Sequence, residues 1–161
     1  MGGFRLSKKS RTVLITGGTG GLGEKIIDRL ASSGIENIFF TFYKETQKAE
    51  ILVNEISQNY SVNCKCFQCD VSKISDIQSV VNKIVSDTDT IDILINNAAI
   101  MQNKFWLYMS DIEWDSVIAT NLKGCFNCIK VVARDMIRNR YGRIINISSL
   151  AGSLGALGQV N

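Results

Sequence analysis

The stretch RTVLITGGTGGLGEKI, from Arg11 to Ile26, puts five glycines into seven positions between an apolar run and a segment of helical period. Residues without a Cβ let the backbone approach a ligand closely, and a helix that opens in such a turn offers free N–H groups to a pyrophosphate. Two spacings fit. Gly18, Gly20 and Gly23 read as G-x-G-x-x-G, whereas Thr16, Gly17, Gly21 and Gly23 read as T-G-x-x-x-G-x-G. Both point to a dinucleotide, but they set different glycines against it. Other residues able to do chemistry stand farther along: Asp70 in QCDVS, Asn96 and Asn97 in ILINNAA, Asn121 in TNLKG, and Ser148 and Ser149 in GRIINISS. Polar groups at the carboxyl ends of strands lie on the rim where open α/β sheets bind ligands. Taken singly, each also has a plain structural explanation: an Asn-Asn turn, a solvated asparagine in a helix, a serine capping backbone groups.

Five cysteines, Cys64, Cys66, Cys69, Cys125 and Cys128, include the cluster CKCFQC, which suggests a metal. The pattern argues for buried free thiols instead. Cys64 and Cys66 alternate with Lys65 and Phe67 as strand neighbours do, Cys125 and Cys128 are three apart on one helical face, and the chain has no histidine. No metal site is expected.

The elements that must position these residues show in the periodicity. Short apolar runs (TVLIT, NIFFTFY, VNCKCFQ, IDILIN, GRIINIS) alternate with helical segments over 22–33, 46–57, 74–85 and 110–140. Ile74, Ile77, Val81 and Ile84 form a 3-4 stripe, and Ser110 with Glu113 forms a capping box ahead of Trp114. Strands apolar on both faces and joined by helices predict an α/β fold, a doubly wound parallel sheet of Rossmann type with five strands. The predicted organisation is a flexible lead-in over residues 1–10 and a dinucleotide-binding domain over 11–161, incomplete at its carboxyl end, where SSLAGSLGALGQVN reads as a glycine-rich loop with no element after it.

Taken together and in order, T-G-x-x-x-G-x-G, D-V, N-N-A, N-L-x-G and N-I-S-S give a sequence that resembles the short-chain dehydrogenase/reductase family from about Thr12 to Asn161. The segment NAAIMQNKFWLYMSDIEWDSVIATNLKGCFN is most similar to the 3-oxoacyl-acyl carrier protein reductases, with acetoacetyl-CoA reductases next. The resemblance selects the second glycine spacing. It implies that Gly17, Gly18, Thr19, Gly21, Leu22 and Gly23 form the pyrophosphate and ribose loop, and that Tyr43 and Lys44 sit at the adenosine end. It likewise implies that Asp70 and Val71 hold the adenine, and that Asn97, Ala98 and Ala99 hold the nicotinamide side, Ala99 standing where the family usually has glycine. In the family's mechanism a tyrosine protonates the substrate carbonyl as the nicotinamide delivers hydride; a serine binds that carbonyl, a lysine lowers the tyrosine's pKa and an asparagine supports a water. Asn121 matches the asparagine and Ser149 the serine. The tyrosine falls roughly thirteen residues beyond Ser149, past Asn161, and no Tyr-x-x-x-Lys pair occurs within the chain. The 161 residues alone are therefore expected to be inactive.

The second strand ends FFTFYK, with no acid before Glu45 to accept a ribose 2′-OH and with Lys44 nearby, so NADPH is expected over NADH. Gly20 weighs against this, since many NADP-preferring relatives carry arginine there. The function implied is NADPH-dependent reduction of a 3-oxoacyl thioester, carried by acyl carrier protein or coenzyme A. The alternatives are an inactive nucleotide-binding fragment and a reductase of another carbonyl. A homodimer or homotetramer is expected for a full-length member. A net charge of +3 with scattered basic residues gives no case for nucleic acid, no apolar run reaches the length of a membrane span, and MGGFRLSKKSR lacks a signal peptide's apolar core. A cytoplasmic protein is the expectation.

Overall fold

The computed structural model describes residues 11–161; the expected lead-in, residues 1–10, lies outside the described residues. The chain runs β1 (Thr12–Ile15), α1 (Gly21–Ser32), β2 (Asn37–Phe42), α2 (Thr46–Asn59), β3 (Asn63–Gln68), α3 (Ile74–Thr88) and β4 (Ile93–Asn96). After a single 3-10 turn at Trp106–Tyr108 come α4 (Asp111–Val117), a π-helical segment at Ile118–Lys123, α5 (Gly124–Arg138), β5 (Arg143–Asn146) and a short α6 (Ala151–Leu154). The five strands form one parallel sheet in the order β3-β2-β1-β4-β5, as the alternating pattern predicts.

Strand alternation sorts the core into two layers. Val13, Ile15, Ile38, Phe40 and Ile95 face α1 and α2 and pack with Ile27, Ala31, Leu52 and Ile56. Leu14, Phe39 and Leu94 face the other way, toward α3 and α5, and meet Ile77, Val81, Ile84, Cys128 and Val132. A strand buried on both sides has no room for a polar outer face, which is why the runs read as continuously apolar. The reversal of strand order beside β1 opens a crevice at the carboxyl ends of β1 and β4, the topological switch point.

Three expectations are corrected. The segment 110–140 is not one regular helix: a wider π turn interrupts it at Ile118–Lys123, and α5 stops at Arg138. The stop is made without glycine. Arg140 takes φ 52°, and the amides of Arg140 and Tyr141 donate back to the Ile137 and Met136 carbonyls. The stretch after Ser149 is not all loop, because Ala151–Leu154 makes one helical turn. Tyr43 lies just past the end of β2 rather than on it. The capping box is present as read: the Ser110 hydroxyl accepts from the Glu113 amide while the Glu113 carboxylate accepts from the Ser110 amide at 2.8 Å.

Candidate functional site

The glycine-rich turn is held from three sides. Thr16, 3% exposed, ends the first strand run, and its hydroxyl accepts from the backbone amides of Asn97 and Ala98, both at 3.0 Å. Asn97 answers with its side-chain amide, which donates to the Thr16 and Gly17 carbonyls at 3.0 and 2.9 Å. The ends of β1 and β4 are thus locked together. From β2, Thr41 accepts the Gly18 amide on its carbonyl at 2.8 Å. From α2, the Lys48 ammonium donates to the Thr19 carbonyl at 2.6 Å and pairs with Glu24 at 2.7 Å.

The glycines divide by what surrounds them. Gly17 has φ 67°, and a Cβ there would come within 2.8 Å of Ala98 Cα; a side chain would be strained and would break the Thr16–Asn97 lock. At Gly18 a Cβ would stand 2.4 Å from the Phe40 ring, and at Gly23 it would stand 2.5 Å from the Gly17 carbonyl oxygen. Those two let the turn lie down on β2 and on itself. Gly21, the first residue of α1, has nothing within 4 Å of the place its Cβ would occupy. Its open side belongs to a cleft of about 740 Å³ that Gly17, Thr19, Gly20, Gly21, Leu22 and Gly23 also line. Gly18 is the one residue of the expected loop that packs inward rather than onto the cleft.

The same cleft gathers Tyr43, Lys44, Asp70, Val71, Asn97, Ala98 and Ala99, every other residue expected to hold the cofactor. Lys44 sits with its ammonium 5.2 Å from the centre of the Tyr43 ring. Burial raises the Asp70 carboxyl, but the Ser72 hydroxyl at 2.6 Å, the Ser72 amide at 3.0 Å and Lys73 outweigh it and hold the group below its ordinary value. It stays an acceptor at neutral pH. Lysine and glycine amides at one end and a carboxylate at the other suit a ligand with phosphate and a base that donates. The open cradle at Gly21, beside the N-terminus of the 12-residue α1, fits a pyrophosphate.

Asn121 and Ser149 do not line this cleft. Asn121 lies inside the π segment, and its side chain makes a reciprocal pair with Ile100: Oδ1 accepts from the Ile100 amide and Nδ2 donates to the Ile100 carbonyl, each at 2.9 Å. It pins the chain just past Ala99. A π turn adds a residue to the helical circuit and frees backbone groups, a feature that recurs at functional sites. Ser149 is exposed, and its hydroxyl accepts from the Ala151 amide at 3.2 Å at the start of α6.

Sequence reasoning missed several contributors. Ser116, Ala119 and Thr120 line the cleft from α4 and the π segment; their only signal is i, i+3, i+4 spacing. Lys48 reaches Thr19 only because α2 folds back over the turn, which no local pattern signals. The five thiols are all free, and among the described residues no helix is long and apolar enough to cross a membrane.

A family model described as short chain dehydrogenase matches residues 11–161. The 3-oxoacyl-[acyl-carrier-protein] reductase of Staphylococcus aureus is 37% identical over 154 residues, which is 96% of this chain and 62% of that protein. The reductases of the same name from Aquifex aeolicus and Escherichia coli are 37% and 35% identical over 158 and 153 residues, or 98% and 95% of this chain and 63% and 60% of theirs. The chain thus spans somewhat less than two thirds of the length of these relatives.

Proposed function

Because the chain belongs to the short-chain dehydrogenase family, we propose that it forms the cofactor-binding portion of an NADPH-dependent reductase acting on a 3-oxoacyl thioester, carried by acyl carrier protein or coenzyme A. The observation that carries this reading is the glycine turn clamped to Asn97, with its open cradle at Gly21. The activity for which the relatives are named, 3-oxoacyl-[acyl-carrier-protein] reduction, supports the substrate class. A cytoplasmic location and a homodimer or homotetramer belong to the same proposal.

When bound, the reduced nicotinamide supplies the hydride. The chain's own groups bind and orient. The amides opening α1 and the turn at Thr19 hold the pyrophosphate, Asp70 and Val71 meet the adenine, and Lys44 favours a 2′-phosphate that no acid at the end of β2 repels. Asn97 and Ala98 fix the nicotinamide ribose. Asn121 anchors the Ile100 backbone next to that site, and Ser149 takes the substrate carbonyl. The alkoxide that forms must be protonated. The 161 residues offer no Tyr-x-x-x-Lys pair for it, since Tyr43, Tyr60, Tyr108 and Tyr141 are followed four places on by Gln47, Cys64, Ile112 and Ile145. A positioned general acid is worth about 10²–10⁴ in rate, so residues 1–161 by themselves are proposed to be inactive. A second reading is a nucleotide-binding protein without turnover.

The test is to express the full reading frame that encodes these residues and follow NADPH absorbance with an acetoacetyl thioester. Turnover with this thioester supports the reductase. Nucleotide binding without turnover on it supports the second reading, and turnover only on a different carbonyl moves the substrate class.

A further inference from the structure

Asn127 lies on the inner face of α5 and is 3% exposed. Its side-chain amide donates to two carbonyls of a distant turn, those of Val71 and Ser72, each at 3.1 Å. A buried amide without partners is costly, and so is a pair of carbonyls left facing an apolar wall. The neighbours of Asn127 in this helix face are Cys128, Val132 and Met136; an aliphatic residue would be the ordinary choice among them. One turn earlier Gly124 presses on the same loop, where a Cβ would come 2.7 Å from Val71 Cγ2. Helix and loop therefore touch backbone to side chain at two successive turns.

The loop so held carries Asp70, Val71 and Ser72, one wall of the cleft. Its shape is set inwardly by the Ser72 amide and hydroxyl on Asp70, and outwardly by Asn127 alone among the side-chain hydrogen bonds to the Val71 and Ser72 carbonyls. Asn121, Gly124 and Asn127 are spaced by three along one helical run. The first pins Ile100 at one end of the cleft, the third pins Val71 and Ser72 at the other.

We propose that Asn127 is a positioning residue for the base-binding wall: by holding the Val71 and Ser72 carbonyls it fixes where Asp70 and Val71 meet the adenine, and so sets affinity for the adenosine half of the cofactor without touching it. The ligand named rests on the reading of the cleft given above.

Asn127→Leu keeps the branched shape of the side chain and removes both donors; Asn127→Ser retains one donor and serves if the bulkier leucine variant does not fold. Two measurements on the whole chain separate positioning from general stability. Backbone amide exchange without nucleotide is expected to quicken roughly tenfold over residues 70–73, the scale of one or two lost hydrogen bonds, and to stay unchanged over 97–100. Affinities for NADPH and for adenosine 2′,5′-bisphosphate are expected to fall by a similar factor, while that for reduced nicotinamide mononucleotide holds. Unchanged exchange over 70–73, exchange quickened evenly across the sheet and α5, or an equal loss of both half-ligands would each overturn the proposal. If the unsubstituted protein binds none of these nucleotides, the reading of the cleft fails, and the ligand named here with it. The exchange pattern alone then decides whether Asn127 positions the turn.

Discussion

Two glycines three positions apart, Gly18 and Gly21, do opposite jobs, and their substitutions should separate binding from folding. Gly18→Ala drives a methyl into the Phe40 ring, an overpacking that typically costs about 1–3 kcal/mol; the urea midpoint should fall. Gly21→Ala meets no protein atom, so the midpoint should hold, yet the methyl projects toward the cleft and NADPH binding should weaken at least tenfold. A stable Gly18→Ala protein together with a destabilised Gly21→Ala protein would reverse the assignment. Ser149 carries a second prediction at this scale. In the protein expressed from the full reading frame, Ser149→Ala should lower turnover by roughly two orders of magnitude, the scale of one lost oxyanion-type donor, with NADPH affinity little changed. Ser148→Ala should do much less. Greater sensitivity at Ser148 would shift the register across NISSLAGS by one. The glycine spacing was readable because its chemistry is local. The inward packing of Gly18 was not, since Phe40 approaches it from another strand.

At the level of elements, the sheet and helices were legible because β1, β2 and β4 are buried on both faces, while β5 is exposed yet keeps the same apolar run. The π turn at Ile118–Lys123 left no mark in the sequence: Ile118, Ala119, Thr120 and Leu122 continue a helical pattern whichever way the backbone winds. The capping box was legible because its two partners are three residues apart. Lys104, which pairs with Glu113 at 2.7 Å and with the Ser110 amide and hydroxyl draws its carboxyl down to about 2, was not, since it arrives from the preceding loop. Strand and helix packing also bury thiols. Burial pushes Cys64, Cys69 and Cys128 up to about 12. An unfolded chain begins to lose those protons near pH 9 while the folded one keeps them, so this stability is intact below about pH 9 and is lost as pH rises toward 12. The slope is at most ~1.4 kcal/mol per pH unit for each thiol. The urea midpoint should therefore fall between about pH 8 and pH 10.5, and less so in Cys128→Ala. A flat profile would mean the thiols reach solvent.

For the molecule as a whole, strand order decided where the site had to be. Reversal beside β1 leaves a crevice only at the ends of β1 and β4, and the glycine turn, Asp70 and the Asn97 pair all arrive there from separate parts of the chain. The sequence pattern reached that far because each of these three sits at a strand's carboxyl end. It could not reach Lys48 or Asn127, whose partners are fixed by how α2 and α5 lie against the sheet. The proposed function makes this crevice a nicotinamide dinucleotide site that prefers the 2′-phosphorylated cofactor. The most direct measurement is a pair of binding isotherms, NADPH and NADH, on the protein without substrate at low salt. NADPH is predicted to bind with the lower Kd, and the gap between the two should narrow in Lys44→Ala. Saturable NADH binding tighter than NADPH, or no binding of either, would contradict it.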